Sequence, residues 1–195
     1  YNIYLLSMSF KIIDNLCGAE FNDNLHRQTV TEWYWAFNPF KVQFTDHQSL
    51  YDYQFVHKLH SITEQGYSPR WNDVIPVIAK LNMIISIGGF RRVKANLQVA
   101  QKDVVYGGFH HDLSNKGICD ENLFIAIYYV NTNNGYTEFE DGTKINSVAD
   151  RLVIFKNNIK HRGVSQTDTK ERIVINFNFY SPSYNNLSNN ITSMN

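Results

Sequence analysis

Apolar positions in the first half of the chain recur with the periods of both strands and helices. The stretch "IYLLSMSFKIID" predicts a core strand, "CGAEFNDNLHRQ" a short helix and "TEWYWAF" a further strand. A second helix is predicted from the N-cap Asp46 to Gly66, and a third over "NDVIPVIAKLNMIISIG". The helix from Asp46 to Gly66 is predicted from a near-helical spacing of apolar residues, namely Leu50, Tyr53, Val56, Leu59 and Ile62.

After Phe90 the pattern changes to short apolar segments that are separated by turn residues. The segments are "RRVKANLQVA", "VVYGGFHHD", "LFIAIYYV", "YTEFEDG", "RLVIFK", "RGVSQ" and "RIVINFNFY". Short strands at this spacing are typical of a sandwich or barrel. We therefore expect a mainly β protein with supporting α structure: a double-stranded β-helix (jelly roll) with N-terminal helices packed on one sheet.

This pattern also predicts the domain organisation. A chain of 195 residues is long enough for one sizeable core. We expect a single domain over residues 1–180, with helical support over about 1–90 and the jelly-roll core over about 91–180. Residues 181–195, "SPSYNNLSNNITSMN", are a polar, Asn-rich tail.

Composition narrows the classes of partner. Lys plus Arg and Asp plus Glu both number 18, so the formal net charge is zero, which argues against nucleic acid as the main partner. The opening apolar run is broken by Ser and Lys, so no membrane partner is expected. Cys17 and Cys119 lie far apart and outside any metal-binding spacing, which favours a reducing, cytoplasmic setting. The oligomeric state stays open.

The stretch "YGGFHHDLSN" contains the candidate chemistry. On a strand, His110 and Asp112 share one face and His111 points to the other. One imidazole and one carboxylate are two thirds of the 2-His-1-carboxylate arrangement, which binds non-haem Fe(II) and leaves positions open. His161, which immediately precedes another predicted strand, is the candidate third ligand.

The last predicted strand supplies a candidate cation for the same site. Its even positions share a face, which carries Arg172, Val174, Asn176 and Asn178. A guanidinium inside a barrel needs an anion, and it can bind a carboxylate through two parallel hydrogen bonds. The same alternation places Tyr129 on one face of its strand and Tyr106 on the side of His110, where a phenol could add a hydrogen bond.

These residues, in the order His110-x-Asp112, His161 and Arg172, resemble the Fe(II)/2-oxoglutarate-dependent dioxygenases. The resemblance is to the prolyl 4-hydroxylase-like branch, and it is closest to small phage or bacterial members. "IAIYYVN" followed by "GYTEFEDG" is similar to a strand and hairpin of that branch. "RLVIFKNNIKHRGVSQTDTKERIVINF" is similar to its closing strands, so the resemblance covers about residues 92–180.

The resemblance implies a hydroxylase that uses Fe(II), dioxygen and 2-oxoglutarate and releases succinate and CO2. Its substrate would be a peptidyl proline or a small molecule, and ascorbate is a further candidate cofactor. The family implies His110, Asp112 and His161 as iron ligands. It also implies that Arg172 pairs with the distal carboxylate of 2-oxoglutarate and that Tyr129 donates a hydrogen bond to the same group.

The sequence departs from the family in two places, and two other functions stay open. Arg172 follows His161 by eleven residues, one or two more than usual. The segment "ANLQVAQ" lacks a tyrosine that often contacts the cosubstrate, and Gln98 or Gln101 is the candidate replacement, with Tyr106 as a further contact. The alternatives are a non-catalytic jelly-roll metal-binding module and a cupin-type metal enzyme without 2-oxoglutarate. Arg172 argues against both.

Three other features have ordinary explanations beside functional ones. The loop 113–122 is either a lid that closes over substrate or a surface hairpin. His57 and His60 have a spacing that could suit a metal on a helix, but solvated or hydrogen-bonded histidines are more common. The cluster Trp33-Tyr34-Trp35 could line a substrate groove, although packing in the core is the more common use of such residues.

Overall fold

The protein is described here from a computed structural model, which covers residues 2–7, 10–41, 51–64, 66–115, 118–120 and 122–182. The helices are α1 (Ala19–Thr31) and α2 (Ile75–Ile84), and a 3-10 turn (Trp71–Val74) leads into α2. The strands are β1 (Asn2–Ser7), β2 (Phe10–Asp14), β3 (Ala36–Asn38), β4 (Gln54–Ser61), β5 (Gly89–Val99), β6 (Ser114–Asn115), β7 (Ile118–Cys119), β8 (Leu123–Tyr129), β9 (Tyr136–Phe139), β10 (Lys144–Asn146), β11 (Arg151–Lys156), β12 (His161–Val164) and β13 (Glu171–Tyr180). Within these ranges neither helix has the length and apolarity to cross a bilayer.

Two antiparallel sheets form the jelly roll. The large sheet has the order β1-β2-β11-β8-β13-β5-β4-β3, and the small sheet has the order β10-β9-β12. A short hairpin of β6 and β7 is separate from both. The segment before β6 joins the free edge of β12 through two isolated bridges, Tyr106 to Val164 and His110 to His161. The predicted fold class is therefore confirmed.

The large sheet buries apolar side chains on both faces. On the outer face, Leu25 of α1 and Val77 and Leu81 of α2 belong to the same buried cluster as the odd-numbered residues of β13. On the inner face, the strands pack against the small sheet through a second cluster, which contains Ile127, Tyr129, Phe139, Ile145 and Val174. Coverage on both sides explains why every residue of β8 is buried.

The predicted helix from Asp46 to Gly66 is wrong over its described part. Residues 54–61 form β4, which pairs with β3 on one side and with β5 on the other, and residues 46–50 and 65 lie outside the described ranges. The register with β5 shifts between Lys58 and His60, so Leu59 forms a bulge and is fully buried. A bulge interrupts the two-residue alternation of a strand, and the apolar spacing then imitates a helix.

Other predicted elements are present with different limits. The opening apolar run forms the antiparallel pair β1 and β2, and only the end of "TEWYWAF" belongs to a strand, β3. The predicted strand "VVYGGFHHD" is wrong as a regular strand, since only Tyr106 and His110 form bridges there. Gly107 donates its N–H to the carbonyl of Gly163 at 3.0 Å, which holds the segment against β12 between those bridges.

A buried carboxylate connects the start of α1 to the large sheet. Asp150 is 3% exposed and accepts hydrogen bonds from the N–H groups of Cys17 at 3.0 Å and Gly18 at 2.7 Å. The hydroxyl of Tyr128 donates to the same carboxylate at 2.8 Å. Burial, together with the negative charge of Asp150, raises the pKa of Tyr128. Asp150 thus satisfies backbone donors at a helix terminus that has no side-chain cap of its own.

We expect Asp150→Ala to lower the free energy of unfolding by about 2–4 kcal/mol, because it leaves buried donors without an acceptor. Urea denaturation followed by circular dichroism measures this. Asp103→Ala, at an exposed loop position, is the control and should change stability by no more than about 0.5 kcal/mol. Equal stabilities of the two variants would contradict the structural role of Asp150.

Candidate metal centre

Three side chains with metal-binding atoms meet between the two sheets. The backbones of His110 and His161 exchange hydrogen bonds of 3.0 and 3.1 Å, and their rings lie 4.8 Å apart. Oδ1 of Asp112 lies 3.5 Å from Nε2 of His110 and 3.7 Å from Nε2 of His161. One ligand atom from each residue lies within 4.8 Å of the others. Two atoms bound to one ion at about 2.1 Å and at right angles lie about 3 Å apart, so small side-chain rotations would complete the site.

Neighbouring groups orient two of these ligands. Nδ1 of His110 lies 3.0 Å from the carbonyl of Gly108, a bond that places the proton on Nδ1 and the lone pair on Nε2. Oδ2 of Asp112 accepts a hydrogen bond from Asn178 at 2.7 Å, and Arg92 in turn donates to the side-chain oxygen of Asn178 at 3.1 Å. Oδ1 of Asp112 therefore stays directed toward the two histidines.

The electrostatic environment matches a divalent cation. Burial favours the neutral form of Asp112, but the neighbouring His110, His161 and Arg92 together hold the pKa of Asp112 well below its usual range. Burial lowers the pKa of His161 to about 4, so this imidazole is neutral at pH 7. A neutral imidazole and an ionised carboxylate are the forms that bind metals.

Arg172 lies in the same pocket as these three residues and is 3% exposed. Its Nε donates to Ser147 Oγ at 2.8 Å, and Nη2 lies 3.4 Å from Thr137 Oγ1. Burial lowers the pKa of Arg172, although a guanidinium remains charged at any physiological pH. No carboxylate in the described part of the chain forms an ion pair with it. The pocket thus contains a desolvated cation that lacks an anion.

The other three residues predicted to contact the cosubstrate lie at different places relative to the pocket. Gln98 lines the pocket, and its side-chain oxygen is buried without a hydrogen-bond partner. Tyr129 is fully buried beneath Arg172, with 5.8 Å from the guanidinium carbon to the ring centroid, and donates to Thr137 Oγ1 at 2.8 Å. Tyr106 is 52% exposed, and its ring centroid lies 4.9 Å from the guanidinium carbon of Arg162. It does not belong to the described lining of the pocket.

Two lysines of the pocket were missed by the sequence analysis. Lys94 lies on β5 and lines the pocket together with Gln98, so the two-residue alternation of that strand could have identified it. Lys41 comes from the loop after β3 and pairs with Asp52 at 3.2 Å, where both side chains are buried. No sequence pattern predicts that contact. Burial lowers the pKa of both lysines, and the pKa of Lys94 falls to about 8.

The other residues that the sequence singled out either make contacts within the fold or lie partly outside the described ranges. His57 belongs to β4 and not to a helix, and its two ring nitrogens lie 2.7 Å from the carbonyl of Tyr34 and 2.7 Å from Ser68 Oγ. Trp33 is buried and donates to Asp73 at 3.0 Å. Of the predicted lid over 113–122, residues 116, 117 and 121 lie outside the described ranges.

Comparisons with known proteins identify the fold. No protein-family model matches the sequence, and no curated protein matches it. A prolyl hydroxylase from Trichoplax adhaerens, solved in complex with a hypoxia inducible factor oxygen degradation domain peptide fragment, is 14% identical with a TM-score of 0.63, over 94% of this chain and 89% of that chain. A Pseudomonas putida prolyl-4-hydroxylase is 14% identical with a TM-score of 0.59, over 90% of this chain and 94% of the other.

A third solved structure widens the comparison beyond prolyl hydroxylases. It is an oxidoreductase of the 2OG-Fe(II) oxygenase family from Burkholderia pseudomallei, with 10% identity and a TM-score of 0.64, over 90% of this chain and 87% of that chain. The protein therefore has the jelly-roll fold that prolyl hydroxylases share with other 2OG-Fe(II) oxygenases. At these identities the likeness establishes the fold, and the chemistry has to be argued from the pocket.

We expect Asn178→Ala to weaken metal binding by about 10- to 100-fold, because it releases Asp112 Oδ2 from its hydrogen bond. Competition between the protein and a chromophoric chelator for Zn(II) measures this. Asn176→Ala is the matched control, since Asn176 lies two residues away on the same face of β13 and makes no described bond to Asp112. Equal metal affinities in the two variants would show that Asn178 does not orient the ligand.

Proposed function

We propose that the protein is a 2-oxoglutarate-dependent non-haem Fe(II) dioxygenase that hydroxylates a C–H bond of its substrate and releases succinate and CO2. One observation carries the proposal. A single pocket contains the cluster of His110, Asp112 and His161 and, in the same cavity, the buried and unpaired guanidinium of Arg172. The shared fold with 2OG-Fe(II) oxygenases supports the same function.

The donor set fits Fe(II). Two imidazoles and one carboxylate are the ligands of facial-triad iron sites, which leave the remaining positions open. When bound there, iron would supply the activation of dioxygen, with 2-oxoglutarate as the electron source. The chain contributes an ionised Asp112 and a neutral His161 in fixed positions, and a surrounding of packed side chains that limits the access of water.

Arg172 is the proposed partner of the distal carboxylate of 2-oxoglutarate. A carboxylate would supply the anion that the buried guanidinium lacks. Ser147 already occupies its Nε, so the two terminal nitrogens are the groups that would face the cosubstrate. The Tyr129 hydroxyl donates to Thr137 Oγ1, and this bond leaves the Thr137 proton available to the carboxylate. Gln98 would contribute its amide from the neighbouring strand β5.

The substrate class is proposed only broadly from these contacts. The Trichoplax adhaerens hydroxylase was solved with a peptide, and a peptide or a small molecule could reach this pocket from solvent. A metal-binding module without turnover, or a cupin-type enzyme, would have no use for a buried cation beside the metal. Arg172 therefore favours the oxygenase over both.

The first test is the visible spectrum of the anaerobic Fe(II) protein during titration with 2-oxoglutarate. We expect a weak charge-transfer band for the wild type, loss of iron binding in His161→Ala, and about 100-fold weaker cosubstrate binding in Arg172→Met. Arg162→Met is the control, since Arg162 pairs with Glu138 and does not line the pocket. Iron binding by the wild type without any band would exclude the cosubstrate.

A second test uses the glycine that makes room for Arg172. A Cβ at Gly135 would lie 2.8 Å from Arg172 Cδ, 2.8 Å from Asn133 Oδ1 and 2.9 Å from the Val164 carbonyl, so Gly135→Ala pushes against the side chain that positions the guanidinium. We expect binding of 2-oxoglutarate to weaken by about 10- to 100-fold while Fe(II) affinity changes little. Gly89→Ala, where a Cβ meets nothing within 4 Å, is the control. Unchanged cosubstrate affinity in Gly135→Ala would contradict the assigned position of Arg172.

A further inference from the structure

The pocket contains a second cation that the proposed reaction does not use. Lys94 lines the pocket from β5, opposite Asn176 of β13. Within the described residues its ammonium has no ion pair and no hydrogen bond. The charges around it are those of Arg92 and Lys58, which repel it, and Asp112, which attracts it. A largely buried ammonium without a partner loses hydration and gains nothing in return, unless a ligand supplies the anion.

The charges of the loaded pocket also leave Lys94 without a counterion. The described cations of the lining are Lys41, Lys94 and Arg172, and the described carboxylate is Asp112. Lys41 is already paired with Asp52. A divalent metal ion and the 2-oxoglutarate dianion cancel each other, and Asp112 then balances one of the two remaining cations. One positive charge is left over. Because the cosubstrate engages Arg172, the cation without a counterion is Lys94.

Strand register places Lys94 nearer to the metal than to the cosubstrate end. Across the pair of β5 and β13, Arg92 lies opposite Asn178, Lys94 opposite Asn176, and Gln98 opposite Arg172. Asn178 holds the metal ligand Asp112, whereas Arg172 marks the cosubstrate end. At about 3.3 Å per residue, Lys94 is about 7 Å along the strand from the metal end and about 13 Å from Gln98. The two cations therefore serve different parts of the pocket.

Two amide side chains beside Lys94 also lack partners. The side-chain oxygens of Asn96 and Asn176 are buried without a hydrogen bond in the described structure, and both residues line the pocket. Buried amides normally have partners. A ligand that reaches Lys94 would meet one cation and two amides, a set that binds a carboxylate together with an adjacent N–H or hydroxyl group.

We propose that Lys94 is a specificity-determining residue that binds a carboxylate of the substrate close to the oxidised carbon. The inference rests on the proposed function and narrows its substrate to acidic compounds: either a free acid or an acidic side chain in a peptide. Since the pKa of Lys94 is about 8, the ammonium is the main form at pH 7.

The experiment compares acids with their amides as ligands. Isothermal titration calorimetry on the Zn(II) protein, with and without saturating 2-oxoglutarate, would use L-glutamate against L-glutamine, and an N-acetylated tripeptide with a central Glu against the same peptide with Gln. In the wild type we expect one acid to bind at least about tenfold more tightly than its amide. Selectivity in the first pair would indicate a free acid, and selectivity in the second pair would indicate a peptide.

The variants test whether Lys94 causes that selectivity. In Lys94→Met we expect the ratio of acid to amide affinity to fall to within about twofold, and Lys94→Arg should retain it. Lys58→Met is the matched control, because Lys58 lies opposite Lys94 on β4, pairs with Glu64 and does not line the pocket. Thermal melting of each variant verifies that it is folded.

Several outcomes would overturn the proposal. It fails if no acid binds better than its amide in the wild type, or if Lys58→Met removes the selectivity as fully as Lys94→Met. It also fails if Lys94→Met weakens 2-oxoglutarate binding as much as Arg172→Met, since Lys94 would then serve the cosubstrate. A wild-type protein without the charge-transfer band would refute the proposed function instead, and the selectivity for acids measured on the Zn(II) protein would remain.

Discussion

The burial of β13 on both of its faces is the constraint on which the rest of the structure depends. The odd-numbered side chains of β13, including Ile173, Ile175 and Phe177, pack under α1 and α2. Each such side chain contributes about 1.5–3 kcal/mol when it is fully buried. The alternation of the strand then directs Arg172 and Asn178 to the inner face, toward the small sheet. The packing that fixes the helices on the sheet therefore also fixes the polar groups of the pocket.

The candidate metal ligands depend on a second contact, between two segments far apart in sequence. His110 lies in a segment without regular strand structure, and its position comes from the two backbone hydrogen bonds with His161. Asp112 follows beyond that bridge and is held by Asn178 of β13. One ligand is thus positioned from the small sheet and another from the large sheet. A change in the distance between the sheets would separate these three side chains, so the apolar cluster between the sheets maintains the candidate metal site.

The sequence predicted those parts of the protein that local alternation determines. Most of the strands after Phe90 and the inner face of β13 follow from two-residue periods. The grouping of His110 and Asp112 with His161 was predicted with the help of the family resemblance, although the segment of His110 is not a regular strand. The helix predicted over β4 failed because the bulge at Leu59 gave its apolar residues a helical spacing. The contact of Lys41 with Asp52 could not be predicted, since both residues lie outside regular strands and helices and no period relates them.

The polarity of the pocket has an energetic consequence for how the fold is organised. Arg172 and the amides of Asn96 and Asn176, whose side-chain oxygens lack hydrogen bonds, are desolvated without full compensation, and each such group opposes folding by roughly 1–3 kcal/mol. They are grouped on a few neighbouring strands of the large sheet, whose outer face carries the larger apolar cluster. Ligands that supply the missing anions and donors would remove part of this opposition, because binding to the native state alone stabilises that state. The groups that oppose folding are therefore the groups to which the proposed ligands would bind.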